Sequence, residues 1–174
     1  MIKIRKGTIN DAYGIARVQV KGWHTTYNGI VPDKFLNQMS IEEQEKKLRI
    51  GLTNKQRKER FFVAENDKSE IVGYIIGGEN RYSEEYPDCG GELYAIYILK
   101  NYQRDGLGRK LVQTLVDWLK DNKFNQMLVW VLADNPAKYF YEKLGAKYLG
   151  EKQLEIEGKK LDEYVYIWDD LKHF

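Results

Sequence analysis

Residues Glu92 to Gly108, ELYAIYILKNYQRDGLG, pass from a β-branched and aromatic stretch through a glycine-containing turn into a helical repeat. Few folds accept that succession. The first part reads as a strand, and Leu107, Leu111, Leu115 and Leu119 with Val112 make one apolar helical stripe. A helix start presents unpaired backbone N–H groups and the positive end of the helix dipole. Gly106 and Gly108 remove side chains at that point, so the turn suits an anion such as a pyrophosphate. Met127-Leu128-Val129-Trp130-Val131 reads as the next strand, which predicts a right-handed strand–helix–strand unit with parallel strands.

Two better-known phosphate loops do not fit. A dinucleotide fingerprint needs a third glycine where Leu111 stands, and a Walker loop needs Gly-Lys-Ser/Thr where Gly108-Arg109-Lys110-Leu111 stands. Neither NAD nor a nucleoside triphosphate is favoured.

At 174 residues and 20.5 kDa the chain fits a single domain, residues 1–174, able to bury about two-thirds of its unfolded surface. No apolar run approaches the roughly 20 residues of a membrane helix, and Met1-Ile2-Lys3-Ile4-Arg5 alternates rather than forming a leader. These features predict a cytoplasmic protein that engages no membrane. Cys89 is the single cysteine and only His24 and His173 could assist it, so no metal is expected. A net charge of +2 is small for a nucleic-acid binder. Lys55, Arg57, Lys58 and Arg60 read as a solvated loop between helix and strand, with steering of an anionic cofactor as the alternative.

Ile2 and Ile4 followed by Thr8-x-x-Asp11 predict a short strand and a capped helix, with an apolar face through Ile9, Ala12, Ala16, Val20 and Trp23 and an end between Gly22 and Tyr27. Pro32 to Leu36 and Ile41 to Leu52 read as a broken second helix with Ser40 as cap. Residues 61–64 and 71–76 predict a hairpin around Asn66-Asp67-Lys68-Ser69. Ala137, Phe140, Tyr141 and Leu144 share one side of a short helix that Gly145 ends. Tyr148 to Ile156 and Leu161 to Trp168 close the chain around Glu157-Gly158-Lys159.

Two segments in this order resemble the Gcn5-related N-acetyltransferase (GNAT) family, and the resemblance spans nearly the whole chain. Ile96-Tyr97-Ile98 with Tyr102-Gln103-Arg104-Asp105-Gly106-Leu107-Gly108-Arg109 is similar to that family's acetyl-CoA strand and pyrophosphate loop, with Lys100 where proline is common. Asn135 to Ala146 is similar to its second CoA motif, departing at Ala146 where an aromatic residue is usual. The family implies an α/β fold with a mixed, mostly antiparallel sheet flanked by helices. Its strands at Glu92 to Leu99 and Met127 to Leu132 splay apart to admit acetyl-CoA as cosubstrate.

The resemblance also implies roles. Pantetheine pairs with backbone around Ile96 to Ile98, N–H groups from Arg104 to Lys110 hold the pyrophosphate, Asn135 bonds the amide arm, and Lys138 and Tyr141 also bind the cofactor. Asn135 also suits a helix cap before Pro136. Direct acetyl transfer to a primary amine in a ternary complex needs polarisation of the thioester carbonyl, by a backbone N–H near Ile98, and a proton for the departing thiolate. Tyr141 stands at the family's acid position; aromatic packing is its other reading. Glu92 stands where one branch has a base, or simply solubilises a strand end.

Trp23-His24-Thr25-Thr26-Tyr27-Asn28-Gly29-Ile30-Val31-Pro32 resembles a segment of a bacterial and archaeal branch that includes polyamine-acetylating relatives. Trp23 and Tyr27 share a helix face and are candidates for acceptor binding or for packing. His24 reads as a surface residue. Glu84, Glu85 and Asp88 could draw a cationic amine to the loop Glu79 to Gly91. The acceptor is a small-molecule or peptide amine, not nucleic acid, and the closing strands leave an edge at which a homodimer could form. Cys89, in a polar loop without an activating neighbour, is disfavoured as an acyl carrier. The rival reading is a non-catalytic CoA-sensing or interaction module on the same fold.

Overall fold

The computed structural model describes residues 1–53 and 59–174. Its strands are β1 (Lys3–Lys6), β2 (Arg60–Glu65), β3 (Ile71–Glu79), β4 (Gly91–Ile98), β5 (Met127–Leu132), β6 (Lys147–Ile156) and β7 (Lys159–Trp168). The helices are α1 (Ala12–Tyr27), α2 (Asp33–Asn37), α3 (Ile41–Thr53), α4 (Leu107–Asp121) and α5 (Ala137–Lys143). One mixed sheet runs β1-β2-β3-β4-β5-β7-β6. Every neighbouring pair is antiparallel except β4 and β5, the two strands joined through α4.

The leucine stripe of α4 decides which face of the sheet it covers. Leu111, Leu115 and Leu119 are fully buried against Val72, Ile75, Leu93, Met127 and Val129, each worth about 2 kcal/mol of apolar burial. On the opposite face α1 and α3 bury Ala12, Ile15, Ala16 and Leu48 against Val63 and Tyr74. The α2 segment covers Leu132 and Leu161 through Val31 and Leu36, with Trp23 and Tyr27 packed beside them.

Local chemistry sets the boundaries. Asp11 accepts hydrogen bonds from the Thr8 N–H and hydroxyl at 2.7 and 2.9 Å, and α1 proper begins one residue later. Ile9 falls in the preceding 3-10 turn, Ile9–Asp11, and is 38% exposed; it does not extend the apolar face of α1 as its spacing predicts. Ser40 caps α3 through the Glu43 N–H. The hairpin strand β3 runs three residues beyond Ile76 because β4 pairs along it to Glu79. At α5, Gly145 and Ala146 donate to the carbonyls of Glu142 and Tyr141, the paired bonds of a Schellman cap. Of the basic cluster, Lys55, Arg57 and Lys58 lie outside the described residues; Arg60 opens β2 and stacks 5.5 Å from the Trp118 ring centre. No helix among the described residues is long and apolar enough to cross a membrane.

Candidate active site

The parallel ladder between β4 and β5 contains only Gly91↔Met127, Glu92↔Leu128 and Leu93↔Val129. Beyond it β4 stays with β3 as far as Ile98, and β5 stays with β7 as far as Leu132. The two strands therefore diverge into a cleft. A bulge marks the start of the divergence: Ile76 pairs with Ala95 and Gly77 with Leu93, leaving Tyr94 as the extra residue. Bulges bend a strand and re-aim its side chains. From Tyr94 to Ile98, β4 has no strand partner on its β5 side among the described residues, so its backbone can pair with an extended ligand as an added strand does.

The phosphate-type turn follows after one 3-10 turn, Lys100–Tyr102. Arg104 and Gly106 both have left-handed backbone, φ +72° and +78°, with residues of ordinary hand between and after them. Alternation of hand turns successive N–H groups toward one concave side. The N–H groups of Arg104, Asp105, Gly106, Leu107, Gly108 and Arg109 make no hydrogen bond among the described residues. Gln103 pins the turn to the strand end, its Nε2 donating to the Ile98 carbonyl at 2.8 Å. Gly108 has a packing reason as well as an electrostatic one: a Cβ there would lie 3.1 Å from the Phe140 ring of α5. The turn thus presents a run of unpaired N–H donors that suits an anion, and Arg104, Arg109 and Lys110 lie along it.

Side chains from distant segments meet at the cleft. Tyr97 of β4 and Asn135, just past β5, both reach the hydroxyl of Tyr27 at the end of α1, at 3.4 and 3.3 Å. Asn135 is buried, and its Oδ1 accepts the Ala137 N–H at 2.9 Å, the cap that starts α5. Trp23 packs on Tyr27 with ring centres 4.4 Å apart and on Phe35 at 5.5 Å. Tyr141 is 5% exposed in the α4-side core, edge-on to Trp168, and burial pushes its pKa well above the usual phenol value. Its hydroxyl has no hydrogen-bond partner among the described residues, yet it is not one of the fully enclosed polar atoms, so its small exposure includes the oxygen. Lys138 donates instead to the Ala133 carbonyl at 2.6 Å.

Glu92 is fully buried, and its carboxylate accepts from the Arg81 N–H at 2.9 Å and from the Arg81 guanidinium. Proton transfer from an acceptor amine to Glu92 therefore needs water between them or displacement of Arg81. His24 is exposed, as are Glu84, Glu85 and Asp88. Cys89, expected in a polar loop, is instead buried at 3% exposure against Leu128 and Val165, because Asn80 ties the loop inward through the carbonyls of Tyr86 and Cys89. Sequence reasoning missed Arg81, whose eleven-residue separation from Glu92 carries no periodicity. It also missed Lys152, whose ammonium sits 3.8 Å from the Trp130 ring centre and 3.9 Å from that of Tyr82.

Comparison with known proteins agrees with this geometry. The acetyltransferase (GNAT) family matches residues 23–146. The chain is 35% identical over 171 residues to the uncharacterized N-acetyltransferase YuaI of Bacillus subtilis (strain 168), covering 98% of this chain and 95% of that one. Two solved structures share the fold. The PaiA N-acetyltransferase of Thermoplasma acidophilum, in complex with coenzyme A, has a TM-score of 0.70 at 20% identity, over 94% of this chain and 98% of its own. An N-acetyltransferase of Staphylococcus aureus Mu50 has a TM-score of 0.73 at 19% identity, over 98% and 99%.

Proposed function

The chain belongs to the acetyltransferase (GNAT) family, and from that premise we propose that it transfers acetyl from acetyl-CoA directly to a primary amine within a ternary complex. It is an acyltransferase with acetyl-CoA as cosubstrate and an amine as acceptor. One observation carries the finer reading: the strand that loses its neighbour at the cleft leads, through one 3-10 turn, to the turn whose N–H groups are unused among the described residues. A long ligand with an amide-bearing arm and a pyrophosphate needs those two features in that order.

In this reading the backbone of Ile96, Tyr97 and Ile98 aligns the pantetheine arm. The N–H groups from Arg104 to Arg109, including those of Asp105, Gly106, Leu107 and Gly108, hold the pyrophosphate, and the Gln103 side chain keeps the turn against the strand. The second Nδ2 hydrogen of Asn135 remains for the arm after the bond to Tyr27. Lys138 supports the site through Ala133, at the end of β5. An N–H near Ile98 polarises the thioester carbonyl. Tyr141 stays protonated through the neutral range because burial disfavours its phenolate, which keeps it available as a hydrogen donor. Glu92 takes the amine proton through water. Trp23 and the loop between β3 and β4, with Glu84, Glu85 and Asp88 exposed on it, border the acceptor side.

The test is CoA release from acetyl-CoA with amines, polyamines and peptides, comparing the unaltered chain with Tyr141→Phe. Amine-dependent turnover that falls about a hundredfold in the variant, with acetyl-CoA binding kept, is the expected result. Binding without turnover on any acceptor would favour a CoA-sensing module, and absence of binding would overturn the reading.

A further inference from the structure

Lys152 holds a positive charge beside the cleft without spending its hydrogen-bond donors. It shares a face of the sheet with Trp130, the first residue of β5 past the ladder to β4. Its ammonium lies against two rings, 3.8 Å from the centre of Trp130 and 3.9 Å from that of Tyr82. Ring faces attract a cation and leave its N–H groups free. The Glu163 carboxylate, directly opposite on β7, stands 3.9 Å away, beyond hydrogen-bond distance. On the outer surface the Lys34–Glu157 and Lys147–Asp169 pairs close to 2.8 and 2.6 Å. The cage thus keeps Lys152 and Glu163 apart, and neither group makes a hydrogen bond among the described residues. Their side chains are 31% and 18% exposed, so a ligand can reach both.

The sheet sets the order of the two charges. Strands run β4-β5-β7-β6, so Glu163 on β7 is one strand nearer the parted β4 and β5 than Lys152 on β6. Glu163 pairs with Leu132 at the end of β5, and after burial its charge is a further cause of the raised pKa of Tyr27 in the cleft. From the cleft outward an acceptor therefore meets an anion first and a cation second. A second ammonium on the acceptor would be repelled by Lys152, and the Glu92 carboxylate is already filled by Arg81. Glu84, Glu85 and Asp88 are exposed, where water and salt screen them. We infer that the acceptor is an amino acid, a primary amine that also carries a carboxylate, with its amino group at Glu163 and its carboxylate on the Lys152 ammonium. This rests on the acetyl-transfer reading above and leaves the proton transfers as described there. Trp130 and Tyr82 are positioning residues that aim Lys152, and Lys152 determines specificity.

The test pairs amino acids with their decarboxylated amines, leucine with isoamylamine and phenylalanine with phenethylamine among them, and adds putrescine as a diamine. Two quantities are read: kcat/KM with acetyl-CoA, and the calorimetric affinity of each amine for the CoA-loaded protein. The expected result is a value at least about tenfold higher for the amino acid of a pair, the worth of one charge-assisted hydrogen bond. Lys152→Met keeps a chain of similar length on the two rings and lowers that preference about tenfold, through KM and affinity rather than kcat. Lys152→Arg restores part of it. Tyr82→Leu, which removes one ring and leaves the ammonium, lowers the preference by a smaller factor and carries the test if Lys152→Met does not fold. Overturning results are a preference of the unaltered chain for the decarboxylated amine or for putrescine, a preference for the amino acid that Lys152→Met leaves intact, or no amino acid bound or turned over. If the unaltered protein binds no acetyl-CoA, the acetyl-transfer reading itself fails and takes this inference with it. Amine-dependent turnover without preference for a carboxylate sinks the inference alone.

Discussion

Arg81 closes over the carboxylate of Glu92, the fully buried acid at the start of β4, and the guanidinium face also lies 4.1 Å from the Tyr94 ring centre. The pair is asymmetric: the Arg81 side chain is 55% exposed and that of Glu92 is 1% exposed. A buried carboxylate without its cation retains the desolvation cost and loses the compensation. Because Tyr94 is the bulge residue at which β4 and β5 part, this ion pair braces the base of the cleft.

Arg81→Ala should therefore destabilise the fold by about 2 kcal/mol, below the 3–5 kcal/mol typical of a fully enclosed pair because Arg81 is half in water. Arg81→Lys should recover only part of this, since an ammonium cannot reproduce the forked contact. Urea denaturation of the variants checks it. A loss under about 0.5 kcal/mol for Arg81→Ala would show that the Arg81 N–H alone satisfies Glu92.

Gly106 and Gly108 should fail in different ways. A Cβ at Gly106 meets nothing within 4 Å among the described residues, but the φ of +78° costs an alanine about 1 kcal/mol. Relaxation of that strain would turn away N–H groups of the turn. Gly106→Ala should lower CoA affinity about tenfold with a small fall in Tm. Gly108→Ala presses on Phe140 and should lower both. Calorimetry beside thermal melts separates the cases, and equal behaviour of the two variants would contradict the distinction.

The parts of the fold that were legible are those with local causes. The strand into Ile98, the turn at Gly106, the stripe of α4 and the Gly145 helix end each follow from residues within a few positions, and each is found where predicted. The divergence of β4 and β5 has no periodic signature; it came from the family resemblance and is carried by three ladder pairs and one bulge. Tyr27 and Asn135 are 108 residues apart, so their hydrogen bond exists only once α1 lies across both strands. Cys89 misled for a related reason: the polar residues around it describe the loop's outer surface, and the inward bonds of Asn80 decide where the thiol goes.

Asp11 should make the protein acid-sensitive. The Arg5 guanidinium, bonded to it at 2.8 Å, and the Thr8 N–H hold its carboxyl below the usual carboxylate range against the opposing effect of burial. A depressed native pKa contributes stability that is present above the unfolded value and lost as pH falls through the native one. The unaltered chain should thus lose stability steeply below about pH 4. Asp11→Asn should be less stable by about 2 kcal/mol at pH 7 and should fall less steeply in acid. Thermal melts from pH 7 to pH 3 measure both, and parallel curves for the two proteins would rule Asp11 out as the source.

Cys89 should be chemically quiet in the native state. The thiol is enclosed by Leu128 and Val165, donates to the Gly91 carbonyl at 3.4 Å, and is pushed up to about 11 by burial. Thiols react as thiolates, so a rise from an ordinary value near 9 to about 11 removes about 99% of the reactive form at pH 8 before access is considered. Labelling by a disulfide reagent at pH 8 should be at least about a hundredfold slower in native protein than in guanidinium. Cys89→Ser should leave amine-dependent CoA release within about twofold, because the proposed direct transfer needs no acyl-enzyme. Rapid native labelling together with loss of turnover in Cys89→Ser would reverse the assignment and make the thiol an acyl carrier.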